Sequence, residues 1–258
     1  MILRRLTQHV NDQNWFAVVL DFFIVVVGVF IGIQVANWNT ERLERTQERD
    51  YLIRLHGDFV ESINGQRRDV NFLDRQLSDQ AIMIKSLDSC TVTPEDETPF
   101  QRGINTLGYI NPPRIVRRTV DEMIAAGRTD IIRNKALKVQ LSSIIALVEW
   151  RGNSFSDSVS RMTEHYRFII EEDVRYDLTR TYADPFIEEF IGVDFDIQTL
   201  CQSPKIARAI SAISYTTQER KRAYEPILQR YIDFLPVVEE ELQSRWGPVL
   251  SKSKAATQ

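Results

Sequence analysis

The chain has 258 residues, of which 43% are apolar and 26% are charged. This length is enough for one well-filled core or two small ones, and the composition is too apolar for an intrinsically disordered chain. The formal net charge is −4, so the composition gives no sign of a nucleic-acid partner. Ten glycines and nine prolines are few for this length, which predicts few and long secondary-structure elements.

An apolar run near the N-terminus predicts a transmembrane helix. Residues 15–36 contain a single charged side chain, and at about 1.5 Å per residue they span about 33 Å, which matches a hydrocarbon core about 30 Å thick. Trp15 and Trp38 bracket the run, where interfacial indoles are expected. We therefore predict a membrane helix over 15–38, preceded by an N-terminal tail over 1–14.

Two alternatives concern how this helix is used. A cleaved signal peptide would have a shorter apolar core and a small-x-small cleavage site, which residues 34–39 lack, so an uncleaved anchor is favoured. Four arginines lie at positions 42–54 and two precede the helix, which by itself favours a cytoplasmic C-terminal domain. Acidic residues interleave those four, and the short basic tail resembles an uncleaved signal sequence, so we prefer an extracytoplasmic C-terminal domain.

Five polar or small residues of this segment are candidates for helix–helix interaction: Asp21, Gly28, Gly32, Gln34 and Asn37. A charged side chain in a membrane helix costs about 2.5–3.5 kcal/mol and marks a functional site, unless it lies shallow or protonated. Gly28 and Gly32 form a GxxxG motif, and the two amides can hydrogen-bond across a helix pair. Asp21, Gly28 and Gln34 are seven and six residues apart, so we expect them along one stripe. This predicts a homo-oligomer or a membrane protein partner within the lipid bilayer.

The run from Asp21 to Arg42 resembles the signature of a family of uncharacterised bacterial single-pass membrane proteins. That signature passes from an intramembrane acid through an apolar stretch with one glycine to Q-x-x-N-W-N-x-E. The matching residues are Asp21, Gly28, Gln34, Asn37, Trp38, Asn39 and Glu41. Segments Tyr51–Phe59 and Thr119–Leu141 resemble two further blocks, while Asp21 replaces the usual Glu and Ala36 the usual Asn. The resemblance implies a bacterial inner-membrane protein with one anchor, and it implies no activity.

The first soluble helix should continue directly from the membrane helix, because no proline or paired glycine interrupts the chain from Trp15 to Leu55. Its apolar residues step by three or four with a mean period of 3.5, which is typical of a coiled coil. The residues of this predicted seam are Leu52, Leu55, Phe59, Ile63, Gln66, Val70, Leu73, Leu77, Ala81, Ile84 and Leu87.

An irregular connector is predicted over residues 89–129, with one short helix near its end. Thr119 and Glu122 match a capping box, and Gly127 suits a left-handed C-terminal cap. A second long helix should follow from about Asp130 to Val174. Gly152 either lies within this continuous helix, which we favour, or marks a turn that splits it.

A third long helix should begin after Ser203-Pro204 and end at Trp246-Gly247, with a disordered tail over 251–258. No stretch shows the alternation of strands joined by hairpin turns. The predicted fold class is therefore all-α. A single transmembrane helix continues into an elongated helical bundle, residues 39–250, with about three long helices and short connector helices.

The two cysteines, Cys90 and Cys201, are either unrelated thiols or a disulfide, which would require an oxidising compartment. A continuous second helix would place them at opposite ends of the bundle. A split at Gly152 would bring both to the same end.

No catalytic, cofactor or metal motif is found: GxSxG, GxGxxG, the Walker loop and HExxH are all missing. The acidic run 171–173 is read as a solvated helix end, and no histidine has a partner at metal-ligand spacing. We therefore predict no enzyme and no cofactor, but a membrane-anchored helical interaction or scaffold protein. The alternative is an extracytoplasmic sensory or small-ligand-binding module acting through a membrane partner. A pocket lined by convergent polar groups would favour the module, and a filled core with an exposed apolar stripe would favour the scaffold.

Overall fold

The computed structural model describes residues 15–109 and 111–250, so both predicted tails, 1–14 and 251–258, lie outside the described residues. The described residues are mostly helical, at 76%, as the all-α prediction requires. The described helices are α1 (Trp15–Ser89), α2 (Glu97–Thr106), α3 (Arg118–Ala125), α4 (Lys135–Asn153), α5 (Phe155–Asp173), α6 (Ile197–Gln202) and α7 (Pro204–Trp246). Two strands, β1 (Arg175–Asp184) and β2 (Glu188–Asp194), lie between α5 and α6.

The chain divides within α1 into two units, residues 1–50 and 51–258. In the first unit, every side chain from residue 19 to residue 46 is exposed. This part of α1 is the one described segment long and apolar enough to cross a membrane. The anchor prediction depends on length and apolar composition. Both properties are present in this helix, whose side chains are not buried by any other part of the described chain.

The second unit has two main apolar cores. In the first core, residues of α1 around Phe59 pack against α3, α4 and the second half of α7, around Tyr231. The other joins the end of α1, around Met83, to α2, α5, β2, α6 and the first half of α7, around Ile210. Each long helix therefore contributes to a core through the apolar face that its 3.6-residue period creates.

The prediction of one continuous second helix is wrong. Helix α4 ends at Asn153 and α5 begins at Phe155, with Ser154 between them. Residues 130–134, predicted as helical, precede α4 as turn and irregular backbone. Asn134 caps α4, because its side chain accepts a hydrogen bond from the backbone N–H of Leu137. The third helix begins at Pro204 and ends at Trp246, as predicted.

The predicted seam of α1 holds in its first half and at its last residue, Leu87, which is buried. From Leu52 to Leu73 its apolar members are buried, but Leu77, Ala81 and Ile84 are partly or fully exposed. Polar and other residues one position earlier take the buried face instead. These are Gln76, Gln80 and Met83, which are at most 1% exposed.

A row of buried polar side chains on α1 binds the connector, which runs antiparallel to α1. The row consists of Asp58, Ser62, Gln66, Asp69 and Gln76. Ser62 and Gln66 accept hydrogen bonds from the backbone N–H groups of Val116 and Arg114, and Gln76 donates to the carbonyls of Thr106 and Tyr109. These side chains satisfy backbone groups that have no secondary structure to pair with.

The capping box predicted for α3 is not formed. Thr119 lies inside the helix, and Glu122 binds Arg54 and Tyr51. Asp58 supplies the cap from another helix, since its Oδ2 atom accepts from the Thr119 N–H at 2.9 Å. At the other end the prediction is confirmed, because Gly127 has a φ of 63° and the two hydrogen bonds that follow it form a Schellman motif.

The hairpin of β1 and β2 was not predicted. Its strands pair antiparallel from Arg175↔Asp194 to Asp184↔Glu188, with an irregularity between Asp177 and Thr181. Helix α2 covers the outer edge of β2. Asn105 accepts from the N–H of Ile191 and donates to its carbonyl, so α2 takes the place of a third strand.

Candidate functional site

The predicted membrane-helix residues are all exposed: Asp21, Gly28, Gly32, Gln34 and Asn37. A Cβ atom added at Gly28 or at Gly32 would meet no atom within 4 Å. Nothing in the described part of the chain therefore needs these glycines to be small, and a close approach there would have to come from another molecule.

The predicted stripe of Asp21, Gly28 and Gln34 is wrong at Gln34. In a helix of 3.6 residues per turn, each residue turns by about 100°, so Gly28 and Gly32 lie within about 20° of Asp21. Gln34 lies about 140° and Asn37 about 160° from Asp21 by the same geometry. The acid and the glycines form one face, and the two amides lie on the opposite face.

The structure joins Cys90 and Cys201 by a disulfide, with Cα atoms 5.4 Å apart. Cys90 follows α1 directly and has a φ of 52°. Gln198 on α6 donates a side-chain hydrogen bond to the Cys90 carbonyl, which holds the two segments together beside the bond. The disulfide ties the end of α1 to α6.

A groove that the sequence did not indicate lies between the α4–α5 junction and the first half of α7, with a volume of about 1110 Å³. Four arginines line it, from both sides, against two carboxylates. They are Arg151, Arg161, Arg208 and Arg220. Within the part of the chain that the structure describes, none of the four forms an ion pair, so the groove has a surplus of unneutralised positive charge.

Arg220 is the most buried of these cations, at 6% exposed. Its Nη1 atom makes only long contacts, at 3.4 Å to the Tyr109 carbonyl and 3.9 Å to the Met162 sulfur, and its Nε atom has no partner among the described residues. Burial lowers the pKa of the Arg220 guanidinium, an effect that neighbouring Tyr224 and Asp69 oppose. A buried cation without a carboxylate partner is costly to the fold.

The acids near Arg220 are engaged elsewhere. Asp69 lies on α1, where its Oδ2 atom is 3.0 Å from Arg114 and its Oδ1 atom accepts from Asn111. Burial is the largest influence on the Asp69 carboxyl and raises its pKa. Glu219 lines the groove but pairs with Arg222. The compensating charge for Arg220 is therefore not supplied by an ion pair within the described chain.

The histidines occupy unrelated places. His165 lines the groove, and His56 is hydrogen-bonded to Glu239 at 2.9 Å. His9 lies outside the described residues.

No protein-family model, curated protein or solved structure gives a significant match to this chain.

Sequence reasoning missed the groove because its residues are distant in the chain. On α7, Arg220 lies between Thr217 and Tyr224, which are both buried. Its position was the available signal: a residue three after Thr217 and four before Tyr224 lies on that same face. An arginine at a buried position without an acid nearby in sequence is the pattern that could have identified it.

Proposed function

We propose that the protein is a membrane-anchored helical interaction or scaffold protein of a bacterial inner membrane. Helix 15–38 would lie in the lipid bilayer, and its residues Asp21, Gly28 and Gly32 would face a second copy or a membrane protein partner. The observation that carries this proposal is the complete exposure of these residues in a helix long enough to cross the bilayer. The resemblance of residues 21–42 to uncharacterised bacterial single-pass proteins supports the same location. The remainder of the chain would form a helical bundle of three long helices, counting α4 with α5.

The disulfide supports an extracytoplasmic C-terminal domain. Disulfides persist in oxidising compartments such as the periplasm and are rare in the cytosol. Cys90 and Cys201 both lie in the C-terminal unit. We therefore place this unit outside the cytoplasm, with the N-terminus inside.

Substitution of Gly28 tests the interaction face. Gly28→Leu would place a large side chain between close-packed helices, so association in a bacterial two-hybrid assay for membrane proteins should fall several-fold. The matched control is Phe30→Leu, because Phe30 lies about 160° from Gly28 on the same helix. An association signal that is equal for wild type, Gly28→Leu and Phe30→Leu would argue against the proposed face.

A small-ligand-binding or sensory module is the second candidate, and the groove favours it. The groove brings convergent polar groups from α4, α5 and α7 into one concave surface. A module of this kind would signal through the membrane partner of the anchor. Binding of a small molecule by the purified full chain, lost on substitution of groove residues, would support this second function.

A further inference from the structure

We infer that the groove between the α4–α5 junction and α7 binds a small organic anion, a phosphate or carboxylate on an apolar body, with Arg220 as its deepest contact. This inference depends on the second proposed function, ligand binding by the groove, and is independent of the interaction face in the membrane helix.

The charge of the groove selects an anion. Arg220 is a cation that the fold has buried to 6% exposure without an ion pair in the described chain. Arg161 and Arg208 are exposed at the groove, on α5 and α7 respectively, and form no ion pair there either. A bound anion would supply the missing partner for the buried charge and would receive charge-assisted hydrogen bonds from planar donors suited to carboxylate and phosphate.

Two hydroxyl groups of the groove already donate hydrogen bonds within the chain. Ser154 donates to the Arg151 carbonyl of α4 at 3.0 Å, and Thr216 donates to the Ala212 carbonyl of α7 at 3.1 Å. The hydrogens of these two hydroxyls are therefore already used, whereas the guanidinium groups can still donate to an oxyanion. The buried Nε atom of Arg151 also has no hydrogen-bond partner among the described residues.

The size and the aromatic side chains select an organic ligand over a bare ion. A volume of about 1110 Å³ is far larger than inorganic phosphate needs. Phe155 and Tyr215 line the groove, and Tyr215 is 68% exposed. These rings provide an apolar surface beside the cations, as a ligand with an anionic group and an apolar body requires.

The test uses the full chain in detergent micelles and phosphate-free buffer. Phenyl phosphate and benzoate are titrated beside benzyl alcohol, their neutral counterpart, with binding measured by calorimetry. We expect at least one anion to bind at least tenfold more tightly than the alcohol. Arg220→Met, which keeps the apolar stem, should weaken that binding at least tenfold, and Arg220→Lys should restore part of it.

Two further variants keep the test decisive. Arg208→Met changes an exposed residue of the groove, so it should fold even where Arg220→Met does not, and it should weaken anion binding about threefold or more. Arg230→Met is the matched control, since Arg230 is exposed on the same helix and does not line the groove. Anion binding equal in wild type, Arg208→Met and Arg220→Met would overturn the inference.

The remaining outcomes distinguish ligand binding by the groove from its preference for an anion. Benzyl alcohol bound as tightly as both anions would leave ligand binding standing and refute the anion. No binding of any probe would remove the second proposed function as well. In vesicles of phosphatidylcholine, competition by added phosphatidylglycerol would assign the anion to a lipid headgroup, and binding without such competition would assign it to a soluble molecule.

Discussion

Asp58 shows how a buried charge on α1 organises the chain around it. The carboxylate is 4% exposed and accepts from the Thr119 N–H at the start of α3 and from the Arg118 guanidinium. Because α3 has no side-chain cap of its own, this single residue satisfies a helix end from another element. The sequence offered Thr119 and Glu122 as a local cap, and local spacing could not reveal a distant competitor.

Replacement of Asp58 by alanine should therefore destabilise the fold through a buried N–H without a partner. We expect a loss of about 2–3 kcal/mol, which lowers the midpoint of thermal unfolding by about 4–12 °C for a unit of this size. Intrinsic tryptophan fluorescence of the full chain in detergent would measure it. Glu61→Ala is the control, because Glu61 binds the same Arg118 but is mostly exposed, so the shift should stay below about 2 °C. Equal shifts for both variants would contradict the capping role.

The hairpin of β1 and β2 was not predicted from the periodicity of apolar residues, for two reasons. Strand β1 is irregular between Asp177 and Thr181, which interrupts the alternation of faces, and β2 has only 7 residues. The signals present were aromatic and β-branched residues on both sides of Asp184-Pro185, a turn-forming pair. The helices were predictable because α7 keeps its apolar period over 43 residues. The second half of α1 is helical as predicted, but its buried face was not predictable because buried Gln76, Asp79 and Gln80 are polar.

The edge of β2 should depend on α2. Asn105→Leu keeps a similar volume but leaves the Ile191 N–H and carbonyl without their partner, so the hairpin should open more often. Deuterium uptake of a peptide covering 188–194 should rise several-fold in hydrogen-exchange mass spectrometry. Thr98→Ala, an exposed change on the same helix, should leave uptake unchanged. Uptake at wild-type level in Asn105→Leu would show that the hairpin does not need α2.

The path of the chain through the second unit explains how the cysteines meet. Helix α1 runs from the first core to the second, and the connector then returns along α1 from α2 to α3. Helices α4 and α5 lead to the second core again, and α7 runs back. A continuous second helix was expected to place the two cysteines at opposite ends of the bundle, because the spacing of residues along the chain does not show that the connector returns along α1. The returning connector brings Cys201 to Cys90 whether or not the chain breaks at Ser154.

A disulfide across this topology should be measurable in two independent ways. In native membranes, a maleimide-linked polymer should add to neither cysteine before reduction and to both after it. Addition without reduction would remove the support for an extracytoplasmic domain.

The disulfide closes a loop over a sequence separation of 111 residues and so restricts the unfolded chain. In the chain-entropy description this restriction stabilises the folded state by about 4–5 kcal/mol. Cys90→Ser should therefore lower the thermal midpoint by about 8–20 °C. Because the bond is lost only once, the double variant with Cys201→Ser should melt within about 2 °C of Cys90→Ser. A double variant with the summed losses of two separate sites would mean that the cysteines stabilise the fold independently and do not pair.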